Sequence, residues 1–229
     1  MSTHFNELSE SVRWRLMVEA AKTAAGQQGY KLSRVPGRGL SNVWNIEKDG
    51  KKQVASIRTS RDRWFAFPPL DGGTRWKTLD GADVVLVAVT DSKDDPKSVQ
   101  VFLFPAAEVR KRFNEAYAAR IKDGHKIPDN FGMWVCLDED PRGIASSVGA
   151  GIATQYPPIA VFMIQKLIEE IGGVAISAPV ADEVIDDDAA PSMAVPSTIA
   201  EVMDWSRVQI ASLAGVRVDA VKLDLRIEY

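Results

Sequence analysis

The residues best suited to chemistry in this sequence are basic and aromatic side chains gathered between positions 34 and 64. They are Arg34, Arg38, Lys48, Lys51, Lys52, Arg58, Arg61, Arg63, Trp44 and Trp64. Lysine and arginine neutralise backbone phosphates, and tryptophan stacks on nucleic-acid bases. The pattern favours a surface that contacts nucleic acid. A strand edge that is charged to resist aggregation is the alternative interpretation.

Few residues are placed to hold a metal ion or to act as a nucleophile. His4 and His125 have no cysteine or carboxylate at the spacing of metal ligands. Cys136 lies in an apolar segment, which is typical of a small core residue. The acidic triplet at 186–188 lacks the alternating spacing of a Ca²⁺ loop, and no phosphate-loop or dinucleotide motif is present. We therefore expect no metal and no cofactor.

The formal net charge of −3 averages over a gradient along the chain. Residues 1–80 carry 14 basic and 8 acidic side chains, residues 81–150 carry 9 and 11, and residues 151–229 carry 5 and 12. A basic head and an acidic tail suggest different partners for the two ends, or an attraction between them. The single cysteine and the lack of any apolar run of about 18 residues predict a cytoplasmic protein without membrane contact.

The hydrophobic periodicity predicts an α/β (α+β) fold with a mixed central sheet flanked by helices. Helices are expected over 7–28, 105–121 and 159–171, and strands over 30–35, 42–47, 53–59, 83–89, 99–104 and 133–137. Residues 63–67 are expected to extend the strand at 53–59 after an irregular step. The dipeptide Asp49-Gly50 between two strand patterns indicates a hairpin. The continuous β-branched run at 83–89 indicates a strand that is buried on both faces.

The predicted domain organisation has four parts. They are a core domain over 1–150, a helical extension over 151–177, an acidic Ala/Pro linker over 178–197 and a small helix–strand unit over 198–229. The last unit is too short to support a core of its own. It is expected to dock on the main domain, on a protein partner or on a second copy of the chain.

Several features between positions 18 and 59 follow one another in a recognisable order. They are a helix ending at Gln28-Gly29-Tyr30, a Gly/Arg loop at 37–39, a hairpin over Asp49-Gly50 and the strand 54–59. This order resembles the PD-(D/E)xK nuclease superfamily, particularly the small bacterial proteins related to Holliday junction resolvases. With the later strands and helix, the resemblance extends over roughly residues 10–121 and implies a nuclease-like core.

The resemblance also implies that the catalytic motif is degenerate. Such nucleases hold Mg²⁺ with two carboxylates and steady the attacking water with a lysine. By this resemblance, Ser56 stands at the acidic position and Arg58 at the lysine position, while Asn42, Trp44 and Asn45 occupy the region of the upstream aspartate. Neutral side chains supply no negative charge for a divalent ion. The degenerate positions Trp44, Asn45, Ser56 and Arg58 are therefore expected to be non-catalytic.

Together these observations favour a non-catalytic, nuclease-fold protein of bacterial type that binds nucleic acid, DNA in preference, or serves as an adaptor. Its basic N-terminal face would contact phosphates, and residues 198–229 would dock a protein partner or form a homo-oligomer. One alternative is an active Mg²⁺-dependent DNA nuclease with relocated ligands among Glu19, Glu47, Asp49 and Asp62. Another is a structural module whose basic face meets an acidic protein surface.

Overall fold

The structure, a computed structural model, describes residues 5–35 and 43–177 together with positions 203, 206, 207, 222 and 223. The chain divides into two units, Met1–Pro191 and Ser192–Tyr229, and every element below belongs to the first. The predicted linker lies outside the described residues, and so does most of the predicted C-terminal helix–strand unit. The predictions for these two segments therefore stay predictions.

In the described part of the chain, α1 is followed by eight strands, and three helices then alternate with two strands. The α-helices are α1 (Glu10–Gln27), α2 (Ala106–Lys122), α3 (Ile152–Gln155) and α4 (Ile164–Ser177). The strands are β1 (Lys31–Arg34), β2 (Val43–Lys48), β3 (Lys51–Ser60), β4 (Trp64–Phe67), β5 (Pro69–Leu70), β6 (Arg75–Trp76), β7 (Val84–Thr90), β8 (Ser98–Pro105), β9 (Met133–Cys136) and β10 (Ala160–Met163). No helix in these described ranges has the length and apolar character needed to cross a membrane.

Local sequence explains where the first helix and the first hairpin begin and end. The Ser9 hydroxyl caps α1 by accepting a hydrogen bond from the Val12 backbone N–H at 3.4 Å. The chain leaves the helix at Gly29, whose φ of +83° suits a residue without Cβ. Strands β2 and β3 are joined by Asp49 and Gly50, at φ +52° and +78°, which is the two-residue turn that matches strand twist.

Six strands form one mixed sheet in the order β1-β2-β3-β7-β8-β10. The β3–β7 pair is parallel, and every other neighbouring pair in this sheet is antiparallel. The predicted fold class is confirmed, since helices flank a mixed sheet. The connection from β3 to β7 carries the short strands β4, β5 and β6 instead of a helix. Of these, β4 pairs with β9 in a separate two-stranded sheet.

The sheet has a hydrophobic core on each face. On one face, α1 and α4 cover the sheet through buried residues that include Leu16, Ala20, Ile57, Leu86 and Val101. On the opposite face, α2 and the β4–β9 pair cover it through a second cluster, in which Phe65, Phe67 and Phe113 pack edge to face. We call these the α1 face and the α2 face. Neighbouring residues of a strand point to different faces, so this division sorts the candidate site residues that lie on β1, β2 and β3.

Two predicted elements differ from the structure. The first part of the helix expected over 159–171 is a strand, since β10 occupies Ala160–Met163 and α4 begins only at Ile164. The apolar and aromatic residues of β10 pair with β8, and the Ile159 N–H donates to the Val101 carbonyl at 2.8 Å. The segment at 63–67 does not extend β3. Arg63 has a φ of +64°, which breaks the strand and redirects the chain into β4.

Candidate nucleic-acid interface

Ser56 and Arg58, which the resemblance predicts to stand at the catalytic acid and lysine positions, lie inside the protein on the α2 face. Ser56 is opposite Val85 and Arg58 is opposite Val87 in the parallel β3–β7 register, and both valines belong to the core of that face. Ser56 is 0% exposed and Arg58 is 2% exposed. Within the described structure, the Ser56 hydroxyl oxygen has no hydrogen-bond partner. Neither residue is therefore available to a ligand at the surface.

The Arg58 guanidinium is held by the β4 segment that covers it. Its Nε donates to the Ala66 carbonyl at 3.0 Å and its Nη2 donates to the Thr78 hydroxyl, while Nη1 contacts the Ile57 carbonyl at 3.3 Å. The guanidinium carbon also lies 4.3 Å from the centre of the Phe67 ring. These contacts satisfy a buried cation with carbonyl dipoles and an aromatic face. Arg58 therefore belongs to the core, and the prediction that it contacts phosphate at the surface does not fit the structure.

Trp44 does not converge with Ser56 and Arg58. It lies opposite Ala55, packs against the core of the α1 face, and is separated from Ser56 and Arg58 by the sheet itself. Asn45 is exposed and, by the alternation of β2, points away from the α1 face. The four positions predicted to form a degenerate motif are thus divided between the two faces. The geometry does not assemble them into one site.

A different cluster forms around Trp44 at the surface. Lys22 of α1 places its Nζ 5.1 Å from the Trp44 ring centre, and Arg34 of β1 places its guanidinium carbon 5.6 Å from it. Both distances fall within the range of cation–π attraction. Arg34 reaches the ring because Arg34 and Trp44 are direct partners in the β1–β2 register. Lys22 also forms an ion pair with Glu19 at 2.6 Å.

A second aromatic–cation contact lies toward the hairpin end of the same face. The Lys48 Nζ lies 5.1 Å from the centre of the Tyr30 ring. Lys51 is the direct partner of Lys48 across the turn, so it shares that face, and its side chain is exposed. We call the set Lys22, Tyr30, Arg34, Trp44, Lys48 and Lys51 the basic–aromatic surface.

The remaining predicted cations lie elsewhere. Lys52 is on the opposite face of the hairpin, in a cross-strand row with Glu47 and Lys31. Arg61 is exposed just beyond the far end of β3, which at about 3.3 Å per residue is roughly 30 Å from the hairpin turn. Arg38 lies outside the described residues. The ten predicted residues therefore do not form a single cluster.

Arg63 and Trp64 belong to the layer that covers the α2 face. Arg63 forms a two-point ion pair with Asp138, with Nη2 and Oδ1 2.6 Å apart, and donates to the Gln100 side chain at 2.9 Å. The hydrogen bond to Asp138 raises the pKa of Arg63 against the opposing effect of burial. Trp64 is half-buried opposite Cys136 in the β4–β9 pair. These contacts tie the chain between β3 and β4 to β8 and to the loop after β9.

The four acidic residues weighed as relocated metal ligands are spread over separate elements. Glu19 pairs with Lys22 on α1, Glu47 lies on β2, Asp49 is in the hairpin turn, and Asp62 accepts a hydrogen bond from the Ser60 hydroxyl at 2.9 Å. Across the described ranges, no group of three or more His, Cys, Asp or Glu side chains is arranged to hold a metal ion. Cys136 is half-buried, and burial raises the pKa of its thiol.

Lys22 and Tyr30 were missed by the sequence reasoning. The apolar spacing of the first helix indicates its core residues and gives no sign of Lys22, and the sequence predicts Tyr30 only as the first residue of a strand. The available signal was the short turn at Gly29, which brings the end of α1 and the start of β1 beside one another. A helix that packs on the first hairpin can place a lysine from its last turns next to a strand aromatic.

Comparison with known proteins gives no match: no family model, no curated protein and no solved structure is similar to this chain. The resemblance to the PD-(D/E)xK superfamily therefore stays a prediction.

Proposed function

We propose that this protein binds nucleic acid without cleaving it, and that the basic–aromatic surface makes the contact. The observation that carries the proposal is Trp44 at the surface edge of the α1 face, with Lys22 and Arg34 both within cation–π distance of its ring. Lys48 and Lys51 continue the positive charge along the same face. Cations that surround an aromatic ring suit a ligand with phosphates and bases.

A separate observation supports the part of the proposal that the protein does not cleave nucleic acid. The resemblance places the catalytic acid and lysine at positions 56 and 58, and these positions hold a serine and an arginine buried beneath β4. A phosphodiester cannot approach either side chain unless the β4–β9 layer opens. A binding or adaptor role needs only the surface residues of the α1 face. DNA is the first ligand to test.

A salt titration tests the proposal. Anisotropy of a labelled DNA is measured with wild type, Arg34→Ala and Lys48→Ala/Lys51→Ala at about 50 and about 200 mM salt. We expect both variants to bind more weakly, with the slope of log affinity against log salt reduced by about 1 for each lost phosphate contact. Lys111→Ala is the matched control, since Lys111 is an exposed lysine on α2.

Two outcomes would overturn the proposal. The first is no binding by wild type at the lower salt concentration. The second is an equal loss of affinity in Lys111→Ala, which would show that only the total charge matters. Nicking of plasmid DNA by wild type in Mg²⁺ or Mn²⁺ would contradict the non-catalytic part alone.

A further inference from the structure

The aromatic rings of the basic–aromatic surface carry information about the form of the nucleic acid. We infer that the ligand is single-stranded, with an unpaired base stacking against Trp44; this inference rests on the proposed function. Trp44 and Tyr30 are each half-buried, so part of each ring packs on the core of the α1 face while the remainder reaches the surface. Each ring is accompanied by at least one cation at 5.1 Å.

A duplex would leave these two rings without a role. In double-stranded DNA the bases are stacked on one another, and a protein surface meets phosphates and groove edges. Lysine and arginine alone are sufficient for that contact. A single strand exposes the faces of its bases, and aromatic side chains beside cations are the usual means of binding it without reading sequence.

The spacing of the two aromatic–cation contacts fits several nucleotides. Trp44 and Lys48 lie on the same face of β2 and are four residues apart, which corresponds to about 13 Å at roughly 3.3 Å per residue. A stacked strand rises by about 3.4 Å per nucleotide, so about four nucleotides would span this distance. That length is at the lower end of the sites of about 4–16 nucleotides known for single-strand-binding domains.

The ion pair between Glu19 and Lys22 makes Lys22 less available to a phosphate than Arg34 is. Glu19 holds the Lys22 Nζ at 2.6 Å, so a phosphate must compete with a carboxylate for this lysine. Among the contacts around Trp44, Arg34 is exposed and carries the charge that a phosphate can meet first. Neutralising Glu19 should therefore strengthen binding, by about twofold for a surface ion pair.

The decisive experiment compares two substitutions of similar size at one position. Trp44→Phe keeps an aromatic face, whereas Trp44→Leu keeps apolar packing on the α1 face but removes the ring. Each variant is titrated by anisotropy against a labelled single strand of about 16 nucleotides and against the same strand annealed to its complement. Circular dichroism establishes that both variants are folded as wild type is.

We expect wild type to prefer the single strand. Trp44→Leu should weaken single-strand binding by about five- to 150-fold, as loss of one stacked base requires, and should change duplex binding little. Trp44→Phe should restore most of the affinity, and Glu19→Gln should raise it. Equal affinity for the two forms, or equal binding by the Phe and Leu variants, would overturn this inference and leave the proposed function standing. Failure of wild type to bind either form would overturn both.

Discussion

Replacing Arg58 with alanine tests whether this residue belongs to the core. The side chain is 2% exposed and donates to the Ala66 carbonyl, the Ile57 carbonyl and the Thr78 hydroxyl. We expect Arg58→Ala to lower the free energy of unfolding without a direct effect on nucleic-acid contacts. A residue that bound phosphate at the surface would behave in the opposite way.

The expected magnitude follows from what the truncation removes. Three hydrogen bonds contribute about 1 kcal/mol each, and the contact with Phe67 at 4.3 Å contributes about 1 kcal/mol more. The loss is therefore about 4 kcal/mol, a large part of a typical stability of about 5–15 kcal/mol. Both substitutions remove the desolvation cost of the cation, but Arg58→Met also refills most of the vacated volume, so its loss should be about half as large as that of Arg58→Ala.

Urea unfolding followed by fluorescence and circular dichroism measures these losses. Arg61→Ala is the matched control, because Arg61 is exposed three residues further along, and it should change stability by less than about 0.5 kcal/mol. The reasoning is refuted if Arg58→Ala unfolds within that margin of wild type. It is also refuted if Arg58→Ala and Arg61→Ala lower the free energy of unfolding by the same amount.

Two further predictions concern a buried hydroxyl and a turn carboxylate. Ser56→Ala removes a buried oxygen with no partner among the described residues, so it should raise the free energy of unfolding by about 1 kcal/mol; a clear loss in urea unfolding would contradict this. For Asp91, slight burial acts to raise the pKa, but hydrogen bonds from the Lys97 and Ser98 N–H groups and the Ser98 hydroxyl outweigh it and lower the pKa. A lowered pKa stabilises the fold above the ordinary value of about 4 and loses that effect as pH falls. Asp91→Asn should therefore reduce the difference in stability between pH 5 and pH 3, and an unchanged difference would count against the assigned hydrogen bonds.

The parts of the fold that follow from local sequence were predictable. The β2–β3 hairpin rests on Asp49-Gly50, and the buried strand at β7 rests on its run of β-branched residues. β10 was not predictable in the same way. Its four residues fit the start of a helix as well as a strand, and only pairing with β8 decides between the two.

Most residues of the candidate site could be predicted from the sequence, but their distribution over the two faces of the sheet could not. A strand places alternate residues on opposite faces, so Lys51 and Lys52 separate although they are adjacent in sequence. Arg58 lies on the same strand as exposed lysines, and nothing near it in sequence shows that it is buried. Its cover comes from β4, which is held in place by pairing with β9 much later in the chain. Because β4 and β9 are far apart in the sequence, no local sequence pattern indicates that they pair and cover Arg58.

The pairing of β4 with β9 has a consequence for folding. Residues 64–67 pair with residues 133–136, so this small sheet closes a long loop that contains β5 to β8 and α2, and we expect it to form late. The β1–β2–β3 hairpins close over short loops and should form early, since long loops cost more entropy to close. We therefore expect the Arg58 guanidinium to stay hydrated through the early stages and to lose its water only when β9 pairs with β4. Burial of this cation would make the closing of the layer over the α2 face a late step of folding, after the hairpin that carries Trp44 and Lys48 on the opposite face has formed.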